Sequence, residues 1–190
     1  MPGGSVLKDF LQRHSADGGM SRQKKRNRDA PGNINPEICN GCGECCRRCG
    51  CHFSPEDFSE ISYDYLKKQI EKGYISIELI LEERTYLDYD TLILRVRNQG
   101  APVVDFGLKR TPCVLLTKKG CALSKKDRPS GGLFLIPLET FNPKTGRNEK
   151  VCYSKYDIEE CALEWRPYQN ILLQLLEYFQ KHDVPQFIVQ

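Results

Sequence analysis

The sequence predicts an α+β fold, a small antiparallel sheet with flanking helices and a cysteine-rich loop region, and three observations carry that reading. Residues 74–81 (YISIELIL) and 91–97 (TLILRVR) alternate apolar and polar positions with a period of two, the mark of strands buried on one face. Apolar residues recur at helical spacing before the first strand and again after Pro167. Six of the ten cysteines fall within residues 39–51, too dense a run for a regular element.

Residues 1–35 are rich in Gly, Ser, Asn and charge and read as a disordered basic leader, with VLKDFLQRH forming at most a transient helical turn. Residues 36–190 read as one cysteine-cluster domain, since 190 residues with 39% apolar content suit one core and a tail. The formal net charge of +3 sits in the leader: residues 1–38 hold seven Lys/Arg against four Asp/Glu, and the rest is balanced. A neutral body argues against a dedicated nucleic-acid face, although the arm SRQKKRNR could touch phosphate. No run approaches the ~18 apolar residues of a membrane span, and the opening lacks the apolar segment of a secretory signal, so a soluble cytoplasmic chain is expected.

After the cysteines, Ser54-Pro55-Glu56-Asp57 reads as a helix start, with Ser as cap, Pro at the first position and Asp in the place of a capping-box acid. Phe58, Ile61, Tyr65, Leu66 and Ile70 then share one helical face, which Gly73 ends and Ser62 could split. The two alternating strands follow. Short strands at residues 113–117 and 133–138 complete the antiparallel reading. Pro167 opens a last helix whose Tyr168, Ile171, Leu172, Leu175, Leu176 and Phe179 form an apolar stripe. Strands followed by a packing helix give the α+β class.

Cys39, Cys42, Cys45, Cys46, Cys49 and Cys51 stand too close together for ordinary core residues, and in a reducing compartment such spacing favours metal ligation over disulfides. Gly41 and Gly43 free the backbone for two thiolates to turn onto one ion. Cys39, Cys42, Cys45 and Cys49 match the ferredoxin run C-x2-C-x2-C-x3-C, except that Gly50 stands where that run has Pro. Cys42, Cys46 and Cys49 also fit C-x3-C-x2-C, the spacing of radical enzymes that cleave S-adenosylmethionine, but no repeated βα units follow to build their barrel. Neighbouring Cys45 and Cys46 point to opposite sides of an extended chain, which implies two centres or one multinuclear centre. In CVLLTKKGC, a regular three-residue hairpin loop places Cys121 opposite Thr117, roughly 13 Å along the strand from Cys113. One ion takes both only if that hairpin is broken.

Thiolates select zinc or an iron-sulfur cluster over magnesium or calcium. His52 reads as a surface histidine, with ligation or a hydrogen bond to sulfur as the alternative, and His14 and His182 read as solvated. Arg47 and Arg48 read as compensation for thiolate charge rather than a substrate-anion site. Arg128-Pro129-Ser130-Gly131-Gly132 reads as a tight turn, with an anion-cradling loop as the alternative. Cys152 and Cys161 stay open between core and second-centre roles. No Ser/His/Asp arrangement, Walker loop or H-E-x-x-H motif is present, so no catalytic residue is named.

The opening Cys39, Cys42, Cys45, Cys46, the segment from Cys113 to Gly120-Cys121 and the dipeptide Arg128-Pro129 together resemble the CxxCxxCC (YkgJ-like) zinc- or iron-chelating domain family, over roughly residues 36–138. The chain departs from that pattern after Arg128-Pro129, where Gly131-Gly132 stands in place of a cysteine that Cys49, Cys51, Cys152 or Cys161 would replace. The resemblance implies that Cys113 and Cys121 join the ligand set, and that a bound metal stabilises the loop region. The expected function is therefore a cysteine-cluster protein holding Zn²⁺ or an iron-sulfur cluster. One alternative is a metal-cluster-dependent enzyme, with methyl transfer from S-adenosylmethionine to a protein as its candidate reaction, because some family members resemble part of flagellin lysine methylases. Another is a zinc-stabilised module that binds protein or nucleic acid, the latter through the leader. No membrane partner is expected.

Overall fold

The structure is a computed structural model, and it describes residues 46–47, 50–82, 87, 89–106, 111–133, 135–143, 145–154 and 158–187. All of them belong to one unit, Pro31–Gln190. The leader, Cys39, Cys42, Cys45 and Cys49 lie outside the described residues.

The two alternating stretches form the central antiparallel ladder of β1 (Ile75–Ile80) and β2 (Thr91–Val96), with Ile75 opposite Val96 and Ile80 opposite Thr91. Short segments extend both of its edges. Along β2, residues 51–53 run antiparallel: the Phe53 N-H donates to the Leu94 carbonyl (2.9 Å) and the Val96 N-H to that of Cys51 (2.7 Å). Along β1, residues 103–105 run parallel, with the Ile77 N-H on the Val103 carbonyl (2.7 Å) and the Asp105 N-H on that of Ile77 (3.0 Å). Beyond Phe53 the Gln169 side chain takes over the β2 edge. Its Oε1 accepts from the Leu92 N-H (2.8 Å) and its Nε2 donates to the Leu92 carbonyl (2.9 Å), as a paired strand residue would.

Burial of β1 and β2 on one face alone does not hold, since every residue of both strands is buried. Ile75, Ile77, Leu79, Leu92, Leu94 and Val96 make the expected apolar face. On the other face Ser76, Glu78, Thr91 and Arg95 are buried as well. Part of that face is satisfied internally, with the Ser76 hydroxyl donating to the Pro102 carbonyl (3.0 Å) and Arg95 paired with Glu78 (3.2 Å).

The capping motif forms as read, on a 3₁₀ turn at Pro55–Asp57: the Ser54 hydroxyl accepts from the Glu56 N-H and the Asp57 carboxylate from the Ser54 N-H. Ser62 does split the helical stretch, and its hydroxyl caps α1 (Tyr63–Ile70) through the Tyr65 N-H. Gly73 then turns the chain at φ +84°. Its left-handed backbone leaves no room for a side chain, since a Cβ there would stand 2.4 Å from the Pro185 carbonyl oxygen.

The later strands differ from expectation. The 113–117 strand shortens to β3 (Leu116–Thr117), paired with β4 (Gly120–Cys121). Residues 130–133 form a single helical turn, α2 (Ser130–Leu133), so the next strand, β5 (Leu135–Asn142), starts later and pairs with an unforeseen β6 (Arg147–Ser154). The described residues thus hold three separate two-stranded ladders, consistent with the α+β class. An unforeseen helix, α3 (Ile158–Trp165), leads through a 3₁₀ turn at Arg166–Tyr168 into the expected α4 (Gln169–Phe179). Helices α3 and α4 pack on β2, and α1 on β1 and α4, around the fully buried Leu66, Ile70, Trp165, Leu172 and Leu175. No helix among the described residues is long and apolar enough to cross a membrane.

Candidate metal centre

Two cysteine-bearing segments, one with Cys46 and Cys51 and one with Cys113, meet at the C-terminal end of β2. Residues 97–99 continue past that strand and pair antiparallel with 112–114, through the Gln99 N-H to the Pro112 carbonyl (2.7 Å) and the Val114 N-H to that of Arg97 (3.1 Å). This sets Cys113 opposite Asn98. The outward N-H of Cys113 donates to the Cys46 carbonyl at 2.6 Å, and Cys51 is fixed to Val96 as described. The main chains of Cys46 and Cys51, from one stretch, and of Cys113, from another, are therefore brought together, Cys51 on β2, Cys113 on its continuation and Cys46 on Cys113.

Local chemistry shapes each position. Gly50 is buried, and a Cβ on it would lie 2.0 Å from the Val96 carbonyl oxygen, so only glycine lets the chain lie this close to β2. That explains a Gly at the point where the ferredoxin run has Pro. Both polar groups of Gly50 find buried side chains: its N-H donates to Asn98 Oδ1 (2.6 Å) and its carbonyl accepts from Arg95 Nη2 (3.3 Å). Cys113 is buried, and its Sγ accepts the Leu115 N-H at 3.4 Å.

The hairpin carrying Cys121 has a two-residue loop, with Thr117 opposite Gly120, so Cys121 faces Leu116 and the expected pairing with Thr117 is corrected by one residue. A turn breaks the strand before it, closed by the Leu116 N-H on the Cys113 carbonyl (3.1 Å). The regular extended run that kept Cys113 and Cys121 apart is thus absent. Cys121 is half-buried. Cys161 lies fully buried in α3, its Sγ 3.5 Å from the Phe53 carbonyl that also accepts the Trp165 indole N-H (2.7 Å), the position of a small core residue. Cys152 stands in β6 opposite Pro137. Arg47 is exposed beside Cys46.

The turn at residues 128–132 does cradle an anion, and the anion is the protein's own. The Asp57 carboxylate accepts the Ser130 hydroxyl (2.6 Å), the Ser130 N-H (2.9 Å) and the Ser54 N-H (2.8 Å). The Gly131 N-H goes to the His52 carbonyl (3.2 Å) and that of Gly132 to Pro129 (2.8 Å). With these donors committed, the loop is a clamp between two parts of the chain. Its glycines make room for the cysteine segment: a Cβ on Gly131 would stand 2.6 Å from the His52 carbonyl oxygen, and one on Gly132 2.9 Å from Cys51 Sγ. Cys51 therefore sits against the position where the resemblance expects a further cysteine.

Sequence reasoning missed the charged group beneath this segment. Glu78 and Arg95, 0% and 1% exposed, pair at 3.2 Å, and His52 Nε2 lies 3.5 Å from the same Glu78 oxygen. Ser76 faces Arg95 across the ladder, which puts Glu78 and Arg95 on one diagonal of one face, a register the residue order alone does not disclose. His52 is half-buried against a carboxylate rather than a plain surface histidine. Next along the strand, Arg97 donates to the Ala101 (2.7 Å) and Val184 (2.8 Å) carbonyls, and burial pulls its guanidinium below the ordinary arginine value against the opposing charges of Asp183 and Asp105.

Thiolates are soft donors, which suit the chemistry of zinc or an iron-sulfur cluster. Among the described residues, no three His, Cys, Asp or Glu side chains form a group that could hold an ion. Cys46, Cys51, Cys113 and Cys121 supply the described part of the expected set. No protein-family model, curated protein or solved structure matches this chain.

Proposed function

We propose that the chain is a cysteine-cluster metal-binding protein of the reducing cytoplasm, in which thiolates from residues 39–51 and from Cys113 and Cys121 hold Zn²⁺ or an iron-sulfur cluster at the C-terminal end of β2. The observation that supports this reading is the tethering of Cys51 to Val96 and of Cys113 to Asn98, with Cys46 held in turn by Cys113, together with the backbone N-H directed at Cys113 Sγ. A bound ion or cluster supplies cross-links between chain segments, and thiolate coordination of structural zinc is worth about 10–16 kcal/mol in small sites. The resemblance to the CxxCxxCC family points the same way.

Metal analysis of anaerobically purified full-length protein tests the proposal. Stoichiometric zinc in colourless protein, or iron and sulfide in brown protein, is the expected result. Metal-free protein that is folded, with reduced thiols and no uptake of zinc or iron, would end this reading.

A further inference from the structure

We infer that residues 183–187, the segment after α4, are a latch on the turn that carries both cysteine segments, and that Gln186 is the residue that positions that turn. The turn is residues 97–101, where the chain leaves β2 and reverses at Gly100, φ +73°. It holds the two cysteine segments directly. Asn98 Oδ1 accepts the Gly50 N-H (2.6 Å), the Gln99 N-H donates to the Pro112 carbonyl (2.7 Å), and the Arg97 carbonyl accepts the Val114 N-H (3.1 Å). The turn is held in its turn by Gln186, whose side chain reaches three of its main-chain groups. Gln186 Oε1 accepts the Gly100 N-H (3.0 Å), and Nε2 donates to the carbonyls of Asn98 (2.8 Å) and Ala101 (3.0 Å). Arg97 ties the turn to the same segment, from Nε to the Ala101 carbonyl (2.7 Å) and from Nη1 to that of Val184 (2.8 Å).

An amide side chain suits this task because the turn offers one donor and two acceptors, and Gln carries both an acceptor oxygen and a donor nitrogen. Val184 is buried and anchors the segment, whereas Gln186 is half-buried and Phe187 is 41% exposed. Beyond Gln186 the Phe187 N-H donates to the Gly73 carbonyl (3.1 Å), and the Phe187 ring stands edge-on to Tyr74 at 6.1 Å. The part that grips the turn therefore lies at the surface, where segments open at lower free-energy cost than interior strands. When Gln186 lets go, the turn loses three hydrogen bonds at once, and the acceptors of the Gly50 and Val114 N-H groups lose their fixed positions. The spacing of Cys51 and Cys113 then loosens while the β1–β2 ladder keeps its own bonds. The latch thus regulates the proposed centre, and only its effect on metal rests on that reading.

Hydrogen exchange on the full chain, metal-free and reduced, decides the matter for two variants. Gln186→Met keeps the length of the side chain and removes its hydrogen bonds, and Phe187→Ala loosens the segment while leaving Gln186 in place. Gln186→Met is expected to speed exchange about 10-fold or more at Gly50, Gln99 and Val114, and Phe187→Ala to speed it at the same amides by less, with Leu92 at the far end of β2 unchanged in both. Alkylation of the buried Cys113 by iodoacetamide is expected to rise in step. Wild-type exchange at all three amides in Gln186→Met, or in Phe187→Ala should the first variant not fold, would overturn the latch. Equal acceleration at Leu92 would overturn it too, by making Gln186 a support of the core. Zn²⁺ titration reads the link to the centre: Gln186→Met is expected to bind about 10-fold more weakly than the wild type, and equal affinity would overturn that link. A wild type that takes up no Zn²⁺ would end the metal reading instead, and the exchange result would still judge the latch.

Discussion

Asp57 shows how one side chain can join distant parts of this chain. Its carboxylate closes the capping box on Ser54 and also accepts two hydrogen bonds from Ser130, so the turn before α1 and the turn before α2 share one anion. Through Ser130 it fixes Gly131, whose N-H holds the His52 carbonyl. Hydrogen bonds to a charged acceptor contribute about 1.5–3 kcal/mol each. Asp57→Asn keeps the shape, removes the charge and turns an N-H₂ toward one of the donors, so it is expected to cost about 2–3 kcal/mol. Urea unfolding should show a lower midpoint at unchanged slope, because the buried surface is the same. Equal midpoints for the two proteins would show that solvent serves Ser54 and Ser130 as well as Asp57 does.

At the level of elements, β2 is the organising strand, and its outer edge is completed by pieces that are not strands of the regular kind. Residues 51–53 cover one part and the Gln169 amide the next, which spares the Leu92 N-H and carbonyl from burial without partners. Replacing Gln169 with Leu keeps much of the volume and strands both groups, and each unsatisfied buried group costs about 1–3 kcal/mol. Gln169→Leu is therefore expected to destabilise by about 2–4 kcal/mol and to speed hydrogen exchange at the Leu92 amide while that at Ile77 holds. Exchange at Leu92 as slow as in the wild type would contradict this role. Such an edge illustrates what the sequence could and could not disclose. The period-two runs, the Ser54 and Ser62 caps and the stripe of α4 rest on local contacts, and they are legible in the order of residues. The burial of Glu78 and Arg95, the clamp made by Ser130 and Gly131, and the Gln169 edge depend on partners distant in the chain, 17 positions away for Glu78 and Arg95, 73 for Ser130 and 77 for Gln169, which no local pattern encodes. The register of Cys121 moved for a smaller reason, a loop of two residues in place of three.

Across the whole molecule, the packing of α1, α3 and α4 on β1 and β2 gives a core that stands on apolar burial, and hydrogen bonds tie the cysteine segment to it. Among them are Gly50 N-H to Asn98, Arg95 to the Gly50 carbonyl, Val96 N-H to the Cys51 carbonyl and Cys113 N-H to the Cys46 carbonyl. Interior amides such as Ile77, bonded to Val103, belong to the apolar part. If thiolate coordination holds the segment in place, removing the metal releases the first group and spares the second, since regions open separately when their stabilising contacts differ. Hydrogen exchange on the full chain, with and without a strong chelator under reducing conditions, is expected to show loss of protection at Gly50, Val96 and Cys113 by about 10-fold or more, with Ile77 retained. Retained protection at all four amides after the metal has been removed would mean that the segment is held against β2 without it. Uniform loss at all four would mean that the core itself depends on the metal.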